Sequence, residues 1–283
     1  MKIPAARGAV STMTKPATGQ SDKTFADVTE GAPDRFVPTD IETRKTEALA
    51  LIEDPSPVRP THQGLLSTAW ESLESVTRNL VGHFLHGPLP KPVPAEEAKQ
   101  LGRLDSADLI NEFGESDDER LQMRLGKAVK MARAALPEAP FSKLIVLDTE
   151  QPRGSAQADG SILVSRGLMN ELSDEEPLFV VGHEMGHLNE KHDAQRLAYE
   201  QRLATAKAAG PQAYFSQRMM EFYHDAEHQA DDYGIKVLQH HGLGKEHAVS
   251  FHIRKMQGFQ GGDPASITHP SDVDRAYRAA TFE

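Results

Sequence analysis

In "VVGHEMGHLNEKHD", residues 180–193, two histidines stand four residues apart around a glutamate: His183, Glu184 and His187. On a helix, about 100° per residue leaves the two imidazoles about 40° apart around the axis and one turn apart, so both can reach one metal ion. Glu184 would then flank the ion, placed to hold a metal-activated water and take its proton, which is the chemistry a peptide hydrolase requires. The spacing alone is a weak signal. With 13 histidines and 23 glutamates among 283 residues, such a pattern arises by chance in roughly one chain in twenty. A third ligand is therefore required.

His192 lies five residues after His187, and on a continuous helix it is turned about 140° away, so it reads as a histidine in solvent or behind a ligand. An astacin-like HExxHxxGxxH pattern is excluded, because Glu190 occupies the glycine position and Asp193 the third-histidine position. The other candidate is in "FYHDAEHQADDYG" (222–234), where Glu227 and Asp231 fall at i and i+4 on a second helix. Glu227 would complete a two-histidine, one-carboxylate set with a fourth position left for water, and Asp231 would orient a ligand histidine through its free ring N–H. An ExxxD pair read on its own is a solvated acidic helix face.

The elements that must hold these residues are also visible. The ligand helix is expected to begin at Ser173 or Asp174, with Pro177 tolerated in its first turn. "ESDDERLQMRLGKAVKMARAALP" opens with Ser116 and Glu119 in capping-box spacing and continues with Leu121, Leu125, Val129, Ala132 and Leu136 on one face, a core helix. "KLIVLD" (143–148) and "SILVS" (161–165) read as strands around the turn-rich "TEQPRGSAQADG". Everything after residue 173 reads as helix, broken at Gly210-Pro211, at Gly242 and in "GFQGGDPASITHP". The fold class is α+β and mostly helical.

Eleven of the 18 prolines fall in the first 94 residues, so residues 1–60 read as a disordered or extended arm. Residues 61–94 read as an amphipathic helix (65–85, with Trp70, Leu73, Leu80, Val81, Phe84 and Leu85 on one face) and a proline-rich linker, and 95–283 as the compact domain. A net charge of −11 without a basic cluster excludes a nucleic-acid surface. The absence of cysteine excludes disulfides, thiolate zinc sites and a thiol nucleophile. No apolar run suits a membrane span or a secretory leader, so a cytoplasmic location is expected, with non-classical secretion left open.

Taken in order, "GSILVSRGLMNELSDEEPLFVVGHEMGHLNEKH", "EHQADDYG" and "THPSDVDR" resemble the gluzincin family of zinc metallopeptidases that contains the CAAX prenyl endopeptidases and HtpX. That family's pattern is HExGH, then ExxxD, then (S/T)HP followed by an arginine, and the likeness covers about residues 115–280. Without the membrane helices of those two branches, the chain looks like the soluble BepA- and LoiP-like catalytic domain. The resemblance implies a fold with a small antiparallel sheet and an HExxH helix. It implies one zinc ion per chain on His183, His187 and Glu227, with Glu184 as general base and Asp231 behind a ligand. It also implies that His269 binds substrate or stabilises the oxyanion, with Arg275 supporting the same region. The strand at 161–165, with Ile162, Leu163 and Val164, corresponds to the family's edge strand, on which an extended substrate pairs. Read without the family, His269 and Arg275 belong to a capped surface helix starting at Ser271.

The function expected is a zinc endopeptidase acting on unfolded or extended protein segments. The alternatives are a zinc-containing, non-proteolytic binding or chaperone-like module and a purely helical interaction protein without metal. The N-terminal arm reads either as a flexible targeting or secretion arm or an inert tail, or, through "DRFVPTD" lying against the strand at 161–165, as a substrate mimic that contacts the cleft.

Overall fold

The computed structural model describes residues 40–58, 88–206, 212–258 and 268–283. The helix expected at 65–85, and all of "DRFVPTD" except Asp40, lie outside these residues. Helix α1 (Ile41–Glu53) falls in the stretch read as an extended arm, and Asp40 caps it by accepting from the Thr43 N–H. It buries Arg44 and Ala48 and packs on α8 (Glu246–Gly258). Arg44 carries the attachment: its Nη2 donates to the Glu171 carbonyl at 2.8 Å and lies 3.5 Å from Glu176 Oε2. The linker before residue 95 is pinned as well, since the Val93 N–H donates to the Ala194 carbonyl and Gln195 Nε2 to that of Pro90. The compact body thus reaches back beyond residue 95.

Helix α2 (Ala95–Phe113) ends at Gly114, whose φ of 76° suits glycine. Helix α3 (Glu119–Ala135) buries Leu121, Leu125, Val129 and Ala132, the face read from the sequence. Its cap is Asp118, whose carboxylate accepts from the N–H groups of Arg120 and Leu121; Ser116 accepts from Asp118 instead. The Ser116/Glu119 box is replaced because a carboxylate two residues nearer the helix satisfies two free N–H groups at the positive end of the helix dipole.

The sheet has the order β1-β3-β2. Strands β1 (Lys143–Leu147) and β3 (Ser161–Ser165) are parallel, and β2 (Gly154–Ala156) joins β3 antiparallel, so the expected antiparallel sheet is mixed. The proposed edge strand is the central one: Ile162, Leu163 and Val164 pair on both sides and are 0% exposed. An apolar run without polar alternation marks a strand covered on both faces, which explains the error. The free edge is β2, whose Gly-Ser-Ala sequence carries no strand signal.

Helix α4 (Arg166–Glu171) follows β3 directly. Helix α5 (Glu176–Glu190) has Pro177 in its first turn and a reciprocal bond pair, the Ser173 N–H to Glu176 Oε2 and the Glu176 N–H to Ser173 Oγ. It is buried along nearly its whole length. It ends at Lys191 in the left-handed conformation (φ 58°), and α6 (His192–Ala206) begins there. Helix α7 (Gln212–His240) crosses α5 at close range, and α9 (Asp272–Thr281) is capped by Ser271. Glycines permit that crossing. A Cβ on Gly186 would lie 2.8 Å from the Tyr233 Cβ, and one on Gly182 would lie 3.0 Å from the Gly234 Cα. No helix among the described residues is long and apolar enough to cross a membrane.

Candidate metal centre and active site

The α5–α7 crossing sets three ligand atoms around one point. His183 Nε2 and His187 Nε2 are 3.1 Å apart, and the Glu227 carboxylate lies 3.6 Å from the first and 3.5 Å from the second. Among the described residues these are the one group of three such donors, all within 4.8 Å of one another. Two neutral imidazole nitrogens and a carboxylate oxygen, open on one side, form a donor set that fits zinc.

Behind the ligands, Asp231 Oδ1 lies 3.0 Å from His183 Nδ1. Arg275 donates to both Asp231 oxygens, at 2.8 and 2.7 Å, and its Nη1 is 3.0 Å from Glu227 Oε2. Burial alone would raise both carboxyls, but the guanidinium charge beside them outweighs it and holds each well below the usual carboxylate range. Arg275 therefore sits beneath the three donors, 3% exposed, on the Glu227 carboxylate that His269 also approaches. Ser271 does cap a helix, yet the helix turns Arg275 inward.

Burial lowers His183 to about 4, so the ring is neutral and its Nδ1–H donates to Asp231. For His187 burial opposes protonation, but the Glu227 carboxylate outweighs it and raises the net value. Burial pushes the Glu184 carboxyl up to about 7, with Glu227 adding to the rise and His187 opposing it. A Cβ on Gly154 would lie 3.0 Å from Glu184 Oε1, so the free edge of β2 runs directly beside this carboxyl. His269 stands on the rim, 48% exposed, with Nε2 3.8 Å from Glu227 Oε1 and Nδ1 2.8 Å from Thr268 Oγ1. All of these groups except Asp231 line or edge one cleft of about 650 Å³, whose apolar wall includes Phe179, Val180 and Phe251.

Two further histidines lie close to the cluster. His192 is buried, with Nδ1 2.9 Å from His187 Nδ1 and Nε2 3.3 Å from Gln229 Oε1. Of the two readings its spacing left open it takes the place behind a ligand, brought there by the turn at Lys191, where no glycine announces a break. His252, 0% exposed, lies 3.4 Å from Asp231 Oδ2 and 3.9 Å from Asp272 Oδ1. It had no motif to mark it.

Comparison with known proteins agrees with this arrangement. Residues 115–282 match Peptidase family M48. "Metalloprotease LoiP" of Escherichia coli (strain K12) is 31% identical over 138 residues, which cover 43% of this chain and 54% of that protein. "Metalloprotease YcaL" of the same organism is 24% identical over 170 residues, covering 54% and 66% respectively. The chain thus spans between about half and two thirds of the length of these relatives. Because the family match extends over more than half of the chain and encloses the three converging ligands with the glutamate beside them, this chain belongs to peptidase family M48.

Proposed function

We propose that the chain is a zinc-dependent endopeptidase that hydrolyses peptide bonds in unfolded or extended protein segments. The observation that carries this reading is the buried carboxyl of Glu184, poised near neutrality between the three-donor cluster and a free strand edge. Zinc, when bound by His183, His187 and Glu227, would supply a Lewis acid that polarises the scissile carbonyl and acidifies water.

The chain's own residues supply the rest. Glu184, with a pKa of about 7, can accept the proton of the attacking water and return it to the leaving nitrogen within one cycle. The outer edge of β2, whose Ala156 backbone hydrogen-bonds the Glu184 carboxyl, is where an extended chain would pair, with the scissile bond beside Glu184. His269 is placed to donate toward the oxygen on which negative charge develops. Arg275 keeps Glu227 and Asp231 ionised, so that neither competes with Glu184 for the water's proton.

The test is Glu184→Gln assayed on an unfolded protein such as reduced casein. An amide cannot take the proton, so zinc content should persist while hydrolysis falls to background. Undiminished hydrolysis would remove Glu184 as the base. Zinc binding without hydrolysis in the wild-type chain would favour the non-proteolytic, chaperone-like reading.

A further inference from the structure

We infer that His192, backed by Gln229, is a positioning residue that fixes the proton of His187 and thereby the strength of the metal centre. The inference rests on the proposed metal reading of His183, His187 and Glu227.

The argument is one of donors and acceptors. His187 turns Nε2 toward His183 and Glu227, and a nitrogen that binds a metal must present a bare lone pair. The proton of His187 therefore belongs on Nδ1. That atom faces His192 Nδ1 at 2.9 Å, so the His192 nitrogen must accept. The proton of His192 then sits on Nε2, 3.3 Å from Gln229 Oε1, which accepts in turn. The opposite tautomer of His192 would set two N–H groups against each other at 2.9 Å. One order satisfies every group: His187 donates to His192, and His192 donates to Gln229.

The backbone is arranged to permit this. Lys191 adopts the left-handed conformation with φ 58°, which a residue bearing a Cβ adopts only against steric cost. That single residue ends α5 and returns His192 beneath His187, where a continuous helix would carry it away. Gln229 arrives from α7, two residues beyond Glu227. The three groups thus come from three elements and close on one another, with His192 buried, His187 partly buried and Gln229 at the exposed end.

The two ligand histidines consequently have unlike supports. His183 leans on an anionic carboxylate tied to Arg275, and His187 on a neutral imidazole. A carboxylate at position 192 would add another negative charge at a buried position near Glu227 and Glu184. A neutral acceptor orients His187 without drawing charge away from the metal.

Two variants of nearly equal size separate this role from packing. His192→Asn places Oδ1 where the imidazole carries Nδ1 and keeps an acceptor for His187, whereas His192→Leu fills the space without one. Zinc dissociation constants of the full-length chains, measured by chelator competition, should be about 10- to 100-fold weaker for Leu and close to wild type for Asn. Equal affinity of the Leu variant and wild type would overturn the inference. So would equal loss in both variants, since packing alone would then explain it. Nitrogen-15 NMR of the histidine rings gives a readout independent of metal: His192 should be the Nε2–H tautomer with and without zinc. A Nδ1–H tautomer would overturn the relay. Failure of the wild-type chain to take up zinc would instead sink the metal reading, and the tautomer in the metal-free protein would still decide the relay.

Discussion

Glu184 makes the pH behaviour of the metal-free protein testable. Its folded pKa of about 7 stands above the ordinary value of 4.5, chiefly through burial. Between those values the folded chain holds a proton that the unfolded chain has released, so this group's contribution to stability declines as pH rises from about 4.5 to 7. Glu227 and Asp231 act in the opposite sense, because their contribution is present above the ordinary carboxylate range and is lost in acid. Glu184→Gln removes only the first effect. Without metal, its stability relative to wild type should grow by on the order of 3 kcal/mol between pH 4.5 and 8. Denaturant titrations at the two pH values check this, and a gap that is constant or shrinks with pH would contradict it. At this scale the three converging donors and the glutamate beside them were legible in the sequence, because HExxH and ExxxD fix residue type and spacing at once. Arg275 was legible as a residue but not as a position, since no spacing rule says toward which side of the cluster a guanidinium points.

At the scale of elements, the centre depends on how closely two helices approach. Gly186 lies at the crossing of α5 and α7, and a methyl there would press on Tyr233 and the backbone of Ala230. Gly186→Ala should cost about 1–3 kcal/mol through overpacking and should weaken zinc binding, because Glu227 rides on the displaced helix. A variant with unchanged melting temperature and zinc affinity would show that α7 yields without moving its ligand. The ligand helix with Pro177 in its first turn and the core face of α3 could be read from periodicity and caps. The sheet could not be read correctly. An unbroken apolar run identifies β3 as a strand but does not rank it as edge or centre, and β2 is too short and too poor in β-branched residues to be seen. The break at Lys191 was hidden because its left-handed turn is made without glycine.

For the whole molecule, the extent of the body differs most from the sequence reading. Helix α1 looked like part of a polar arm because its fully buried residues are one arginine and one alanine, which carry little hydrophobic signal, with Leu51 and Ile52 only partly buried against the core. Arg44 nonetheless reaches the buried Glu176 at the start of the ligand helix, and Ser250 Oγ donates to the same carboxylate. A chain starting near residue 95 would leave Glu176 without its cation, a change that costs about 3–5 kcal/mol for a buried pair. Thermal unfolding should show this shortened chain well below the full one, and a chain starting at Asp40 close to it. Equal melting of all three would deny α1 a structural role. The Asp40 form is therefore the one that tests the proposed contact of the N-terminal arm with the cleft, since it removes the arm and keeps the body.

The central claim is that His183, His187 and Glu227 together bind one zinc ion. Elemental analysis of purified wild-type chain and Glu227→Ala, both shown to be folded by circular dichroism, tests it most directly. The account predicts about one zinc per chain in the wild type and loss of most of it in the variant, because a three-ligand site deprived of its carboxylate keeps little affinity. Full zinc occupancy in Glu227→Ala would contradict it.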